Sequence, residues 1–293
     1  MERKNKMSYS VQPNSKNPVA VLFVVDQSGS MEDKMASGRF TKAQQVANVI
    51  NKTINDMVVT CSKDTFKPYY DIGVIGYGDG GAYNALGGAF SGNILNSVEV
   101  FYNNPLRVED RMTEIPTPAG DIVETTIKFP VWFDPKAYGG TPMKEALELA
   151  AQTIAPWCDA HLGSFPPVVI HISDGEWNGG DPTGIAEGIK TLFTNDGNVL
   201  LCNLHVSTEK NASISFPDTD AVLPNSYAKA LFGMSSVIPE EMRTAVEAEL
   251  RGKVQITPST RFFTFNGDEA AVVRFIRVGT LGSLPKLPYN GAR

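Results

Sequence analysis

Seven apolar residues in a row, Val19 to Val25, run straight into Asp26-Gln27-Ser28-Gly29-Ser30-Met31. A valine-rich run bounded by polar turn formers suits a strand buried on both faces, the situation of a strand inside a parallel sheet covered by helices. The rest of the chain must then supply the crossover helices. At the end of the run the chemistry changes abruptly. The Asp26 carboxylate and the Ser28 and Ser30 hydroxyls alternate around Gly29, where the backbone can bend, so their oxygens can converge on one point. A small divalent cation such as magnesium suits that point.

Two further pieces follow in order. Thr141 stands in Tyr138-Gly139-Gly140-Thr141-Pro142-Met143, ahead of a helical pattern, and Asp174 follows the buried run Val168-Val169-Ile170-His171-Ile172-Ser173. Asp-x-Ser-x-Ser, the later threonine and the second aspartate together resemble the metal-ion-dependent adhesion site of von Willebrand factor A domains, and the similarity extends over about residues 17 to 278. The resemblance implies a doubly wound α/β fold: a mainly parallel central sheet with helices on both faces. It implies Asp26, Ser28, Ser30, Thr141 and Asp174 as metal ligands, Mg2+ as the ion with Mn2+ or Ca2+ as alternatives, and a partner protein whose acidic residue completes the ion's coordination. It also puts the turn at Asp79 in the metal's second layer of contacts. The Asp26-to-Met31 segment is similar to that of bacterial tellurite-resistance-associated relatives, which are linked to stress response.

Taken in order, residues 1 to 17 are polar, with Arg3, Lys4, Lys6 and Lys16, and read as a flexible arm before a domain spanning 18 to 278 and a tail of 279 to 293. Thr41 to Met57 has apolar residues at helical spacing and predicts a crossover helix, and Tyr70 to Tyr77 predicts the next strand. Gly76-Tyr77-Gly78-Asp79-Gly80-Gly81 formally matches Gly-x-Gly-x-x-Gly. A phosphate loop needs a helix opening at the third glycine, and Ala82 to Gly88 reads as loop instead. From 82 to 136 the pattern is irregular, with β-like runs at 97 to 102 and 122 to 133, and is taken as an insertion that could carry partner specificity.

Thr141 before Pro142 predicts an N-cap with proline at the first helical position. A helix follows through Ile154, a strand at 168 to 172, a helix at 183 to 193, and a strand at 199 to 206. Helix 239 to 250, strand 261 to 265 and helix 268 to 278 end the alternation, which indicates one doubly wound unit. In such a sheet ligands bind beyond the carboxyl ends of strands where strand order reverses. Asp26 and Asp174 both end buried strands, and the family's strand order makes those strands neighbours there.

Hard oxygen donors favour magnesium, manganese or calcium over zinc or copper. With two carboxylates facing a +2 ion, another acidic ligand can be accommodated. Trp177, in the polar loop past Asp174, is expected on the rim or folded onto the domain's own surface. The net charge of −6 argues against nucleic-acid binding. Cys61, Cys158 and Cys202 have neither disulfide-framework nor zinc spacing and are expected to be buried thiols. With no signal-peptide pattern at the N-terminus and no membrane-length apolar run, the chain is expected to be cytoplasmic.

No catalytic residue stands out. His161, His171 and His205 are scattered, and Ser28 has no adjacent base to activate it. The leading reading is therefore a metal-dependent protein-interaction module without enzymatic activity. A magnesium-dependent phosphohydrolase is the rival, since an aspartate after the first strand can attack phosphorus. It wants a second aspartate where Ser28 stands, and a lysine near the last acidic motif, absent between Ser164 and Gly188. An adaptor for an ATP-driven chelatase or remodelling motor would share the same site.

Overall fold

A computed structural model describes residues 8–35, 38–63, 65–116, 122–208 and 213–280 of the chain. In chain order the elements are β1 (Val19–Asp26), α1 (Lys42–Cys61), β2 (Tyr70–Gly78), β3 (Gly81–Asn84), β4 (Asn96–Ser97), α2 (Val98–Asn103), β5 (Arg107–Pro116), β6 (Ile122–Val131) and α3 (Met143–Ala160). They continue with β7 (Val168–Ser173), α4 (Thr183–Thr191), β8 (Leu200–Val206), β9 (Ile214–Ser215), α5 (Ser226–Met234), α6 (Glu240–Glu249), β10 (Phe263–Gly267) and α7 (Glu269–Thr280).

The main sheet runs β3-β2-β1-β7-β8-β10-β9, with β4 also on β2. Its centre is parallel: β1 pairs with β2 on one side and β7 on the other, and β8 and β10 continue outward. The chain thus winds from β1 to β2, then returns to the other flank of β1 and winds away. This is a doubly wound α/β fold, and its reversal lies between β1 and β7.

Every residue of β1 is buried, and alternate residues feed two cores. Val19, Val21, Phe23 and Val25 pack with α1 residues Val46, Ile50 and Ile54 and with Phe275 and Ile276 of α7. Ala20, Leu22 and Val24 pack on the opposite face with Leu147 and Ile154 of α3, Ile189 of α4 and Leu231 of α5. Burying side chains of this size stabilises by about 1.5–3 kcal/mol each. The two-sided burial is why β1 reads as an uninterrupted apolar run.

Several expectations are corrected. Residues 8 to 11 of the expected arm are docked: the Asp196 carboxylate accepts the Ser10 and Val11 N–H groups at 3.0–3.1 Å, and the Tyr9 ring packs edge-on against Phe165. Arg3, Lys4 and Lys6 lie outside the described residues, as do positions 281 to 293 of the tail. Ala82 to Asn84 belongs to a strand rather than a loop, because the Asp79-Gly80 turn folds β3 back antiparallel on β2, with Gly80 at φ +82°. The 97 to 102 run is helical as α2, whose start is capped by Ser97. Strands β5 and β6 form their own two-stranded ribbon, with Val108, Met112, Ile122 and Val123 exposed. Helix α5 has no counterpart in the reading of the sequence. No helix among the described residues is long and apolar enough to cross a membrane.

Candidate functional site

Asp26 is the last residue of β1 and is fully buried. Its Oδ1 accepts the Ser28 N–H at 2.8 Å, which curls the chain into the following turn, and the Ser28 and Ser30 hydroxyl oxygens lie 3.1 Å apart. Buried Met31 anchors the short 3-10 turn at Gly29–Glu32 beneath them.

The loop before α3 is laced onto this turn through its backbone. Tyr138 N–H donates to Gln27 O at 2.7 Å, Gly29 N–H to Gly139 O at 3.0 Å, and Asp79 N–H to Tyr138 O at 3.1 Å. Gly139 has φ +84°, and a Cβ there would lie 2.5 Å from the Asp79 backbone nitrogen, so both conformation and space demand glycine. Thr141 follows two residues later. The expected threonine cap is corrected: α3 begins at Met143 with Pro142 in the cap position and no side-chain cap. The Met143 N–H is taken by the Thr141 backbone carbonyl at 2.8 Å, and the Thr141 hydroxyl is not used as a cap.

On the third side, Asp174 follows β7. Ser173 Oγ donates to Asp26 Oδ2 at 3.1 Å and accepts the Gly175 N–H at 3.0 Å, while Asn178 N–H donates to Thr141 O at 3.0 Å. The three loops that carry Asp26, Ser28, Ser30, Thr141 and Asp174 therefore meet beyond the β1 and β7 ends. Asp79 stands at the margin: exposed, it holds the Tyr138–Gly139 loop through its backbone. Trp177 is half-buried and packs edge-on against Tyr227, with ring centres 4.8 Å apart, so it lies on the domain's own surface beside the Asp174 loop.

Electrostatically, the site is poised for positive charge. Burial pushes the Asp26 carboxyl up to about 6, Ser28 counteracts by hydrogen bonding to the carboxylate, and the negative charge of Asp174 adds to the rise. One cation is already present, and the reading of the sequence missed it. Lys42, the first residue of α1, is buried, with its Nζ 3.0 Å from Asp174 Oδ2 and 3.6 Å from Asp33 Oδ2. A signal did exist, since Lys42 shares the inward stripe of Val46, Val49 and Ile50, where a lysine must find a carboxylate.

Beneath the site runs a buried polar chain. The Tyr77 hydroxyl meets His171 Nε2 at 2.7 Å, and His171 Nδ1 meets Asn203 Oδ1 at 2.8 Å. Asn203 Nδ2 donates to Ser235 Oγ at 3.0 Å. Asn203 Oδ1 thus acts as acceptor, so His171 carries its proton on Nδ1 and takes the tyrosine proton's hydrogen bond on Nε2. Burial pulls the imidazole down to about 4 and keeps it neutral, as befits a structural histidine. His161 stacks on Trp157 and His205 on Phe265. Cys61, Cys158 and Cys202 are buried free thiols.

A groove of about 590 Å³ lies elsewhere, between α1 and the β5–β6 ribbon. Two of its arginines are already engaged: Arg107 pairs with Glu109 and Asp134, and Arg111 with Glu109 and Asn48.

No family model matches the chain, and no curated protein matches it. Among solved structures it is similar to proximal thread matrix protein 1 from the mussel byssus, at 11% identity over 92% of this chain and 48% of that one, with a TM-score of 0.44. It is similar to the pilus adhesin SpaC from Lactobacillus rhamnosus GG, at 12% identity over 93% and 31%, with a TM-score of 0.47. The VWA domain of SpRpn10 shares 12% identity over 76% of this chain and 84% of its own, with a TM-score of 0.37. The chain spans less than half the length of the first two proteins. None of the three bears on chemistry, which stands on the residues themselves.

Proposed function

We propose that this chain is a protein-interaction module whose site at the β1–β7 reversal holds a divalent cation, magnesium foremost, through Asp26, Ser28, Ser30, Thr141 and Asp174. The observation that carries the reading is the buried Asp26 carboxyl, raised by burial and by Asp174, at the meeting point of three hydroxyl-bearing or acidic loops. Two carboxylates and three hydroxyls are hard oxygen donors and fit such an ion. When bound, the ion supplies a Lewis-acidic contact for a carboxylate of a partner protein. The chain's own residues do the rest: the Ser28 N–H and Ser173 hydroxyl orient Asp26, and the Gly29–Gly139 contact fixes where Thr141 stands. A cytoplasmic role in bacterial stress response, as in tellurite-resistance-associated relatives, accords with the Asp26-to-Met31 segment.

Affinity capture from lysate, with and without chelator, tests the reading. Partner recovery is expected to need magnesium and to be lost in Asp174→Ala. Recovery that ignores both would count against metal bridging.

One observation favours a second reading. The lysine that a phosphohydrolase wants near its last acidic residue is supplied from α1, by Lys42 beside Asp174. Ser28 still stands where that chemistry needs a second aspartate. Metal-dependent turnover of a phosphate ester that disappears in Asp26→Asn would promote this enzyme over the binding module. The ATP-driven motor adaptor differs from the leading reading only in its partner, which the same capture identifies.

A further inference from the structure

We infer that Lys42 is a tethered cation that competes with the divalent ion for Asp174, and that Asp33 is where its ammonium goes when the ion takes its place. The inference rests on the metal reading above and adds to it a regulating residue.

The position of Lys42 makes no sense as ordinary helix chemistry. As the first residue of α1 it stands at the positive end of the helix dipole, where a cation is unfavourable. Its side chain is only 5% exposed, and a buried ammonium must be paired. Helix formation does not need it there: Thr41 already caps α1, its side chain accepting the Gln44 N–H while the Gln44 side chain accepts the Thr41 N–H. What holds the ammonium is two carboxylates, Asp174 at 3.0 Å and Asp33 at 3.6 Å. Asp174 belongs to the proposed ligand set, and its side chain is 12% exposed. Asp33 lies in the loop after the Ser30 turn, and its side chain is 64% exposed.

Counting formal charges shows the competition. Asp26 and Asp174 contribute −2, and Lys42 returns +1. A divalent ion shared by both carboxylates would face the ammonium as a like charge across one aspartate, and Asp174 Oδ2 cannot serve both fully. Lysine is a point charge on a flexible four-carbon stem, so it can give up one carboxylate for a neighbouring one. Asp33 Oδ2 is already 3.6 Å away, and the Lys42 N–H donates to Asp33 O at 2.9 Å, which keeps stem and receiving carboxylate together. Moving toward Asp33 carries the ammonium toward solvent and leaves Asp174 to the ion. Lysine pairing therefore sets a threshold: the site loads only where the ion outcompetes its internal rival.

The test is Mn2+ binding by the intact chain, followed through the free-ion paramagnetic resonance signal, in wild type, Lys42→Met, Lys42→Gln, Lys42→Arg and Asp33→Asn. The two neutral replacements are expected to bind Mn2+ at least about ten-fold more tightly than wild type. Lys42→Arg keeps the charge and should bind no more tightly than wild type, whereas Asp33→Asn should bind several-fold more weakly. A second readout needs no variant: in wild type, acylation of the Lys42 amine, followed by mass spectrometry, should speed up several-fold when Mn2+ replaces chelator. Wild type that binds Mn2+ while the folded neutral variants bind no more tightly, or an amine whose reactivity does not rise, overturns the competition and leaves the metal reading standing. Absence of Mn2+ binding in every protein overturns both.

Discussion

The Asp26 carboxyl is the residue on which the account turns, and its environment makes a prediction of unusual sign. A buried aspartate that is well paired has a lowered pKa and loses stability on acidification. Here burial and Asp174 raise the folded value to about 6, above the ordinary 3.8. The stability tied to its protonated form is thus fully present below the unfolded value and is lost as pH rises through about 6, by up to roughly 3 kcal/mol. In chelator at pH 7.5, Asp26→Asn should therefore melt no lower than wild type, and the gap in its favour should close as pH falls toward 4. Thermal unfolding across that range checks it, and an asparagine variant that is markedly less stable at pH 7.5 would show the carboxylate to be well compensated. Asp26, Ser28, Ser30 and Asp174 were legible as candidate oxygens because they end or follow buried runs, and Thr141 because it stands ahead of a helical pattern. Lys42 was passed over although it lies on the inward stripe of α1, because the carboxylate it pairs with comes from the distant Asp174 loop.

At the level of elements, the site depends on backbone lacing more than on side chains. Gly139 is a close-packed point of the backbone: its positive φ and its approach to Asp79 let Tyr138 and Gly29 close their hydrogen bonds at 2.7 and 3.0 Å. Gly139→Ala adds a strained φ and a backbone clash, each worth about 1–3 kcal/mol. It is expected to lower the melting temperature and to weaken ion binding more than Thr141→Ser, which keeps the hydroxyl. Equal ion affinity in Gly139→Ala and wild type would mean that the loop's path is irrelevant. Elements in the sheet were readable where burial on both faces leaves unbroken apolar runs, as in β1, β7 and β8. The β5–β6 ribbon was blurred because it lies outside the main sheet with much of its surface exposed, so no single face imposes alternation. The segment from 8 to 11 was misjudged for a related reason: Ser10 and Val11 dock by giving backbone N–H groups to the Asp196 carboxylate, a contact that apolar spacing does not reveal.

Across the whole molecule, sheet order does the work of assembly. Because β1 pairs with β7 as well as β2, aspartates 148 positions apart in sequence end on adjoining strand termini, and the β2–β3 turn supports the loop between them. Alternating strand and helix signals indicated the doubly wound class in outline, while the pairing of β1 with β7 was implied by the family resemblance. What lay outside that outline was contact between distant elements: α1 with the Asp174 loop, and Tyr77 through His171 and Asn203 to Ser235 below it. If a cation is the keystone of these loops, it must stabilise the whole fold by linkage, by about 2.7 kcal/mol when present at a hundred times its dissociation constant. The most direct test is a magnesium titration of the purified chain by calorimetry and thermal unfolding, alongside Asp174→Ala. The account predicts saturable binding and a chelator-reversible rise in melting temperature of several degrees, both absent in the variant. A wild-type protein that takes up no magnesium, manganese or calcium at millimolar concentration and melts identically in chelator would contradict it.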